Sequence, residues 1–122
     1  MLQVSVPESA TRITRTVGSG GSGYSHAVEF LIPDEDWKSY VGGYYHDGLR
    51  KSKLPYSSGT TPPLCTAAFR DGAQLEAWVA SDEISTPQSQ EPSRRQVTVT
   101  TNCQPGLSLV QWMLYPDGQQ TP

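Results

Sequence analysis

Trp37, Tyr40, Tyr44, Tyr45 and His46 fall within ten residues, with Asp47 beside them and Tyr56 a little further on. Four glycines and three prolines lie between positions 42 and 63, so this stretch reads as a long loop. Rings carried on a loop cannot all be core. Flat aromatic faces with carboxylates and amides close by suit sugar rings, and tyrosine-rich loops suit protein surfaces. In the competing arrangement Trp37 and Tyr40 pack beneath the fold while Tyr44 and Tyr45 line one end of it. Arg50, Lys51 and Lys53 follow the tyrosines and also allow single-stranded nucleic acid, by stacking and phosphate contact. The candidate ligand-binding set is therefore Trp37, Tyr40, Tyr44, Tyr45, His46, Asp47, Arg50 and Tyr56.

Catalytic patterns are sparse. The two histidines are His26 and His46. His26 alternates with Val28 and Phe30 and reads as a half-buried strand residue. No Gly-x-Ser-x-Gly elbow occurs. Two cysteines and two histidines without Cys-x-x-Cys or His-x3-His spacing make no zinc site. Asp34, Asp36, Asp82 and Glu83 could supply paired carboxylates for glycoside hydrolysis. Asp34-Glu35-Asp36 lacks the alternating ligands and central glycine of a calcium loop. A small hydrolase using carboxylates with His46 is the enzymatic alternative. No catalytic set and no cofactor are expected.

Cys65 and Cys103 stand 38 residues apart and are candidates for one disulfide, the alternative being two buried thiols. A net charge of −3 gives no broad basic face for duplex DNA. The longest apolar runs are four residues, 77–80 and 112–115, so no segment reads as a membrane span. The first residues lack a basic region followed by an apolar stretch. An extracellular or particle-surface location therefore implies a mature chain.

The elements that must position these residues follow a period of two. Leu2, Val4 and Val6 alternate with polar residues, as do Ile13 and Val17. His26, Val28, Phe30 and Ile32 share a face. Leu75, Ala77 and Val79 form another row with Trp78 on the opposite side, the alternative being that both faces are buried, because Ala is small. Val97, Val99, Thr101 and Cys103 form the cleanest row, and 107–115 is a longer apolar run in which Trp112 is core. Residues 65–69 are a shorter candidate. Arg70-Asp71-Gly72, Gln104-Pro105-Gly106 and Pro116-Asp117-Gly118 punctuate these runs. Eleven glycines and ten prolines, with few helix formers, agree with a loop-rich β domain. The fold expected is all-β: a single domain over 1–122, an antiparallel sandwich of about seven to eight strands, immunoglobulin-like or jelly-roll-like. One helical turn is expected near 34–40, where Pro33 precedes three acids.

Gly18-Ser19-Gly20-Gly21-Ser22-Gly23 has the composition of a linker. Tyr24-Ser25 follows where a phosphate loop needs Lys-Ser or Lys-Thr, and no helix pattern follows for a dinucleotide site. The block reads either as a natural loop or as an engineered joint. A joint would mean circular permutation, or a grafted N-terminal strand over 2–17 of the kind that subunits borrow from a neighbour.

Cys65, Trp78 and Cys103 occur in the order of the immunoglobulin Cys–Trp–Cys pattern. The cysteines are closer together than that family's, and Thr101 stands where the tyrosine corner would be, so no function is carried over. The functional expectation is a non-enzymatic binding or assembly module, such as an adhesin, a pilus-type subunit, or a lectin-like or phage or viral surface domain. Its partner would be a glycan or a protein surface, met through the aromatic loop 37–56, with self-association through an edge strand.

Overall fold

The computed structural model describes residues 4–17, 26–45, 49–51, 62–72, 75–84 and 93–116. Among them six strands form one antiparallel sheet: β1 (Thr11–Val17), β2 (His26–Pro33), β3 (Arg50–Lys51), β4 (Glu76–Ile84), β5 (Ser93–Gln104) and β6 (Leu107–Pro116). The spatial order is β1-β2-β6-β5-β4-β3. Two short helices accompany it, α1 (Trp37–Gly42) and α2 (Thr66–Arg70), the latter entered through a 3₁₀ turn over Pro63–Cys65. The helical turn expected near 34–40 is α1, displaced by about half a turn: Pro33 ends β2, and Asp34–Asp36 form the turn that starts it.

The period-two rows bury where expected on β2 and β6. Val28, Phe30 and Ile32 join Val97, Val99, Val110 and Trp112 on one face, covered by Trp37 and Val41 of α1. Leu31 and Leu109 occupy the opposite face with Cys65 and Cys103. Among the described residues the sheet is thus covered by α1 and residues 4–10 on one face and by the helical stretch 63–70 on the other. Val4, Val6 and Ala10 lie over the first face beside α1.

Three expectations are corrected. Residues 65–69 are helical, because Pro62-Pro63 favours a helical entry and Ala67-Ala68 propagates it. Trp78 and Ala80, not Ala77 and Val79, pack against the first core; the Trp78 and Trp37 rings lie 6.0 Å apart. The row from Val97 does not continue to Cys103. A bulge interrupts β5 between Thr100 and Gln104, where Asn102 takes φ 60°, and Cys103 turns to the opposite face. There it forms a disulfide with Cys65. Pro105 and Gly106, the latter at φ 74°, then return the chain into β6.

Candidate functional site

α1 carries Trp37 and Val41 one turn apart, and both are buried against the sheet. Tyr40 follows at the third position and leans on Phe30, with ring centroids 5.7 Å apart. Gly42-Gly43 ends the helix, and the amides of Tyr44 and Tyr45 both donate to the Val41 carbonyl. This tight exit sets both rings over Trp112, which is fully buried on β6. Tyr44 meets Trp112 edge-on at 5.1 Å, while Tyr45 stacks on it at 6.0 Å.

Arg95 enters the same cluster from β5. Its guanidinium lies 5.4, 5.9 and 5.5 Å from the Tyr44, Tyr45 and Trp112 ring centroids. It donates from Nε to Asp82 Oδ1 at 3.0 Å and from Nη2 to Oδ2 at 2.7 Å. The two residues are cross-strand partners in the β4–β5 pair. The Tyr45 hydroxyl donates to the same Oδ1 at 2.8 Å. Burial works against the Arg95 charge, but the bonds and charge of Asp82, joined by Tyr45, hold its proton more tightly than usual. No buried side-chain nitrogen or oxygen among the described residues lacks a partner.

On the outer side of the cluster lies residue 5. The Tyr40 hydroxyl donates to the Ser5 carbonyl at 2.6 Å, and the Ser5 amide donates to the Tyr44 hydroxyl at 2.9 Å. Trp112 Nε1 donates to the Tyr40 oxygen at 3.1 Å, which completes that hydroxyl. Two phenols thus address both backbone groups of one residue, and the indole aims one of them.

Of the sequence candidates, Tyr40, Tyr44 and Tyr45 come together. Trp37 is 5% exposed, so its ring is packing rather than contact surface. Arg50 is exposed on β3, opposite Val79 and at the far edge of the sheet. His46, Asp47 and Tyr56 lie outside the described residues. Two of the four carboxylates proposed for hydrolysis are engaged elsewhere: Asp34 accepts from the Ser108 hydroxyl, and Asp82 holds Arg95. No group of three metal-ligating side chains occurs among the described residues, and no helix there is long and apolar enough to cross a membrane. Arg95, Trp112 and Ser5 are not among the sequence candidates, and Asp82 is one only as a carboxylate for hydrolysis. The signal for Arg95 was its place two residues before Val97, on the inward row.

The tyrosines give a measurable prediction. Burial raises the Tyr40 and Tyr45 phenols well above their ordinary value, with the Asp82 carboxylate adding to the effect on Tyr45. Both phenols then hold their protons more tightly folded than unfolded. Their contribution to stability is whole below about pH 10, the unfolded value, and is lost as pH rises above it. In an alkaline titration followed by phenolate absorbance, two of the six tyrosines are expected to ionise only as the chain unfolds. Tyr40→Phe and Tyr45→Phe should each remove one of these late ionisations. Six tyrosines titrating together near the ordinary value would contradict the burial of both.

Comparison with known protein families, with curated proteins and with solved structures finds no match to this chain.

Proposed function

We propose that this chain is a non-enzymatic binding and assembly module of an extracellular or particle surface, whose aromatic cluster holds an extended protein segment. The observation that carries this is the double hold on Ser5. Tyr40 and Tyr44 bond its C=O and N–H. Those groups are common to every residue except proline, which lacks the N–H, so these two bonds read backbone; the Ser5 hydroxyl adds a third contact, 3.2 Å from the Tyr44 oxygen. Val4 and Val6, flanking it, supply apolar contact to the same cluster. Recognition by main-chain bonds plus alternate side-chain contacts is a recurring mode of peptide capture. In this chain the site is filled in cis by residues 4–6.

The glycan branch is weaker on the described residues. Sugar stacking needs an open ring face, whereas Trp37 and Trp112 are buried, and Tyr40 and Tyr44 meet their neighbours edge-on. The disulfide supports an oxidising location. The finer architecture, a sandwich of seven or eight strands, belongs to the same proposal. Val4 and Val6, alternating over the Val28–Phe30–Ile32 face, support a second layer on that side of the sheet.

The test uses a full-length Val4→Asp/Val6→Asp chain, which weakens the resident segment, and a fluorescent peptide of residues 1–17. Anisotropy should report saturable binding. Tyr40→Phe/Tyr44→Phe in that background should weaken it about 10-fold or more, at roughly 0.5–1.5 kcal/mol for each bond. No binding to a variant with an unchanged far-UV spectrum would overturn the proposal, as would peptide-independent capture of glycans on an array.

A further inference from the structure

We propose that two copies of this chain exchange their N-terminal limbs, residues 4–17, so that each limb lies in the Tyr40–Tyr44 groove and along β2 of the other copy. This rests on the reading of that groove as a site for extended polypeptide.

The limb makes two kinds of contact. Residues 4–10 lie over the aromatic cluster, with Ser5 held by two phenols and Val4, Val6 and Ala10 half-buried. Residues 11–17 form β1 and pair antiparallel with β2, from Thr11↔Leu31 to Val17↔His26. β1 is an edge strand. Its side chains from Thr11 to Thr16 are all exposed, and Ile13 is 45% exposed. The pairing is also interrupted, since the register shifts between Thr11 and Thr14 with Arg12 at φ 55°. A non-glycine residue in that region costs on the order of 1 kcal/mol. The limb is therefore held by backbone bonds, one serine hydroxyl contact and four half-buried apolar side chains, Pro7 included, with little of the burial that fixes the central strands.

Eight residues, 18–25, join the limb to β2, and four of them are glycine. At full extension they reach at most ~29 Å. Exchange between copies would reproduce every limb contact, because the same residues meet the same groove in trans. The balance between the two forms is then set by the connecting residues and by protein concentration. A second copy fits better than an unrelated partner for this reason: the occupant already seated in the groove is this chain's own segment.

The experiment removes the connection. Deleting 18–25 bonds Val17 directly to His26. These residues are cross-strand partners, and two residues joined by a peptide bond cannot also lie opposite each other in a ladder. β1 can then reach a β2 only in another copy. Sedimentation velocity is expected to show a dimer with the far-UV spectrum of the parent. Tyr40→Phe/Tyr44→Phe in the deletion background should weaken the dimer about 10-fold or more. In a second arm the full-length chain is unfolded and refolded at rising concentration, with donor- and acceptor-labelled copies mixed. A transfer signal should appear that grows with concentration and is suppressed by excess unlabelled peptide 1–17.

A folded monomer from the deletion variant that still binds the labelled peptide would overturn exchange and leave the groove reading intact. A folded monomer that binds no peptide would overturn both. If the deletion variant does not fold, the refolding arm decides. Absence of transfer at every concentration overturns exchange, and a peptide-suppressible signal supports it.

Discussion

Trp112→Ala is expected to lower stability by about 3–5 kcal/mol, the range for removing a large buried aromatic side chain. Trp112 is fully buried on a central strand, paired to Val28 on one side and Val97 on the other. Its ring touches Tyr40, Tyr44 and Tyr45 and lies under the Arg95 guanidinium. Removing it opens a cavity, strips Arg95 of one aromatic face and takes the Nε1–H donor from Tyr40. Trp112→Phe separates these effects. It keeps most of the ring volume and loses the donor, so a smaller loss of about 1–2 kcal/mol is expected. Urea melts with unchanged slope would give both values. A double-mutant cycle with Tyr40→Phe should show coupling, because the two residues share one hydrogen bond. A loss below about 1 kcal/mol for the alanine variant would mean that the ring is not the centre of this core.

The Cys65→Ser/Cys103→Ser variant is expected to lose about 3–4 kcal/mol, the chain-entropy value for a bond between residues 38 apart. The local consequence is sharper than the global one. α2 has five residues, no buried side chain and no side-chain cap at its start. A helix of that length does not persist alone in water. Besides the disulfide, the Gln104 amide donating to the Leu64 carbonyl ties this region to β5. Loss of the disulfide should therefore release residues 62–72 first and uncover Leu31 and Leu109 on the second face. Hydrogen exchange would show residues 65–72 losing protection while β6 keeps it, with Trp112 fluorescence unchanged until global unfolding. Simultaneous loss in both regions would mean that the helical segment and the sheet are one cooperative unit.

The sheet was legible where burial and alternation coincide. β2 and β6 showed it because their inward rows are long and apolar, and Pro105-Gly106 marked the hairpin between β5 and β6 by turn chemistry. Residues 65–69 read as a strand in sequence because a five-residue stretch with two alanines carries no decisive period; the preceding prolines are the better signal. Alternation alone puts Cys103 on the Val97 row because it carries no notice of a bulge; the left-handed residue there is Asn102. The aromatic crowding at 37–45 was visible, but its role was not. Ring counts do not show that Arg95 arrives from a strand about 50 residues away to fill the space between the rings. The hold on Ser5 was beyond sequence reading for a simpler reason. Two of its three contacts use the amide and carbonyl, which carry no mark of residue type.

The order of strands also bears on how the chain is made. β6, the last described strand in sequence, sits at the middle of the sheet between β2 and β5. His26 pairs with Leu114, 88 residues later. As synthesis proceeds from the N-terminus, β2 must wait with its apolar rows uncovered until residue 116 has emerged. The core cannot close piecemeal, and the high sequence separation of its contacts places refolding on the millisecond-to-second scale typical of β proteins. During that wait the β1–β2 hairpin is the pairing available to β2, and a hairpin alone is marginal in water. A nascent chain is therefore most open to pairing with its neighbours before its last strand arrives.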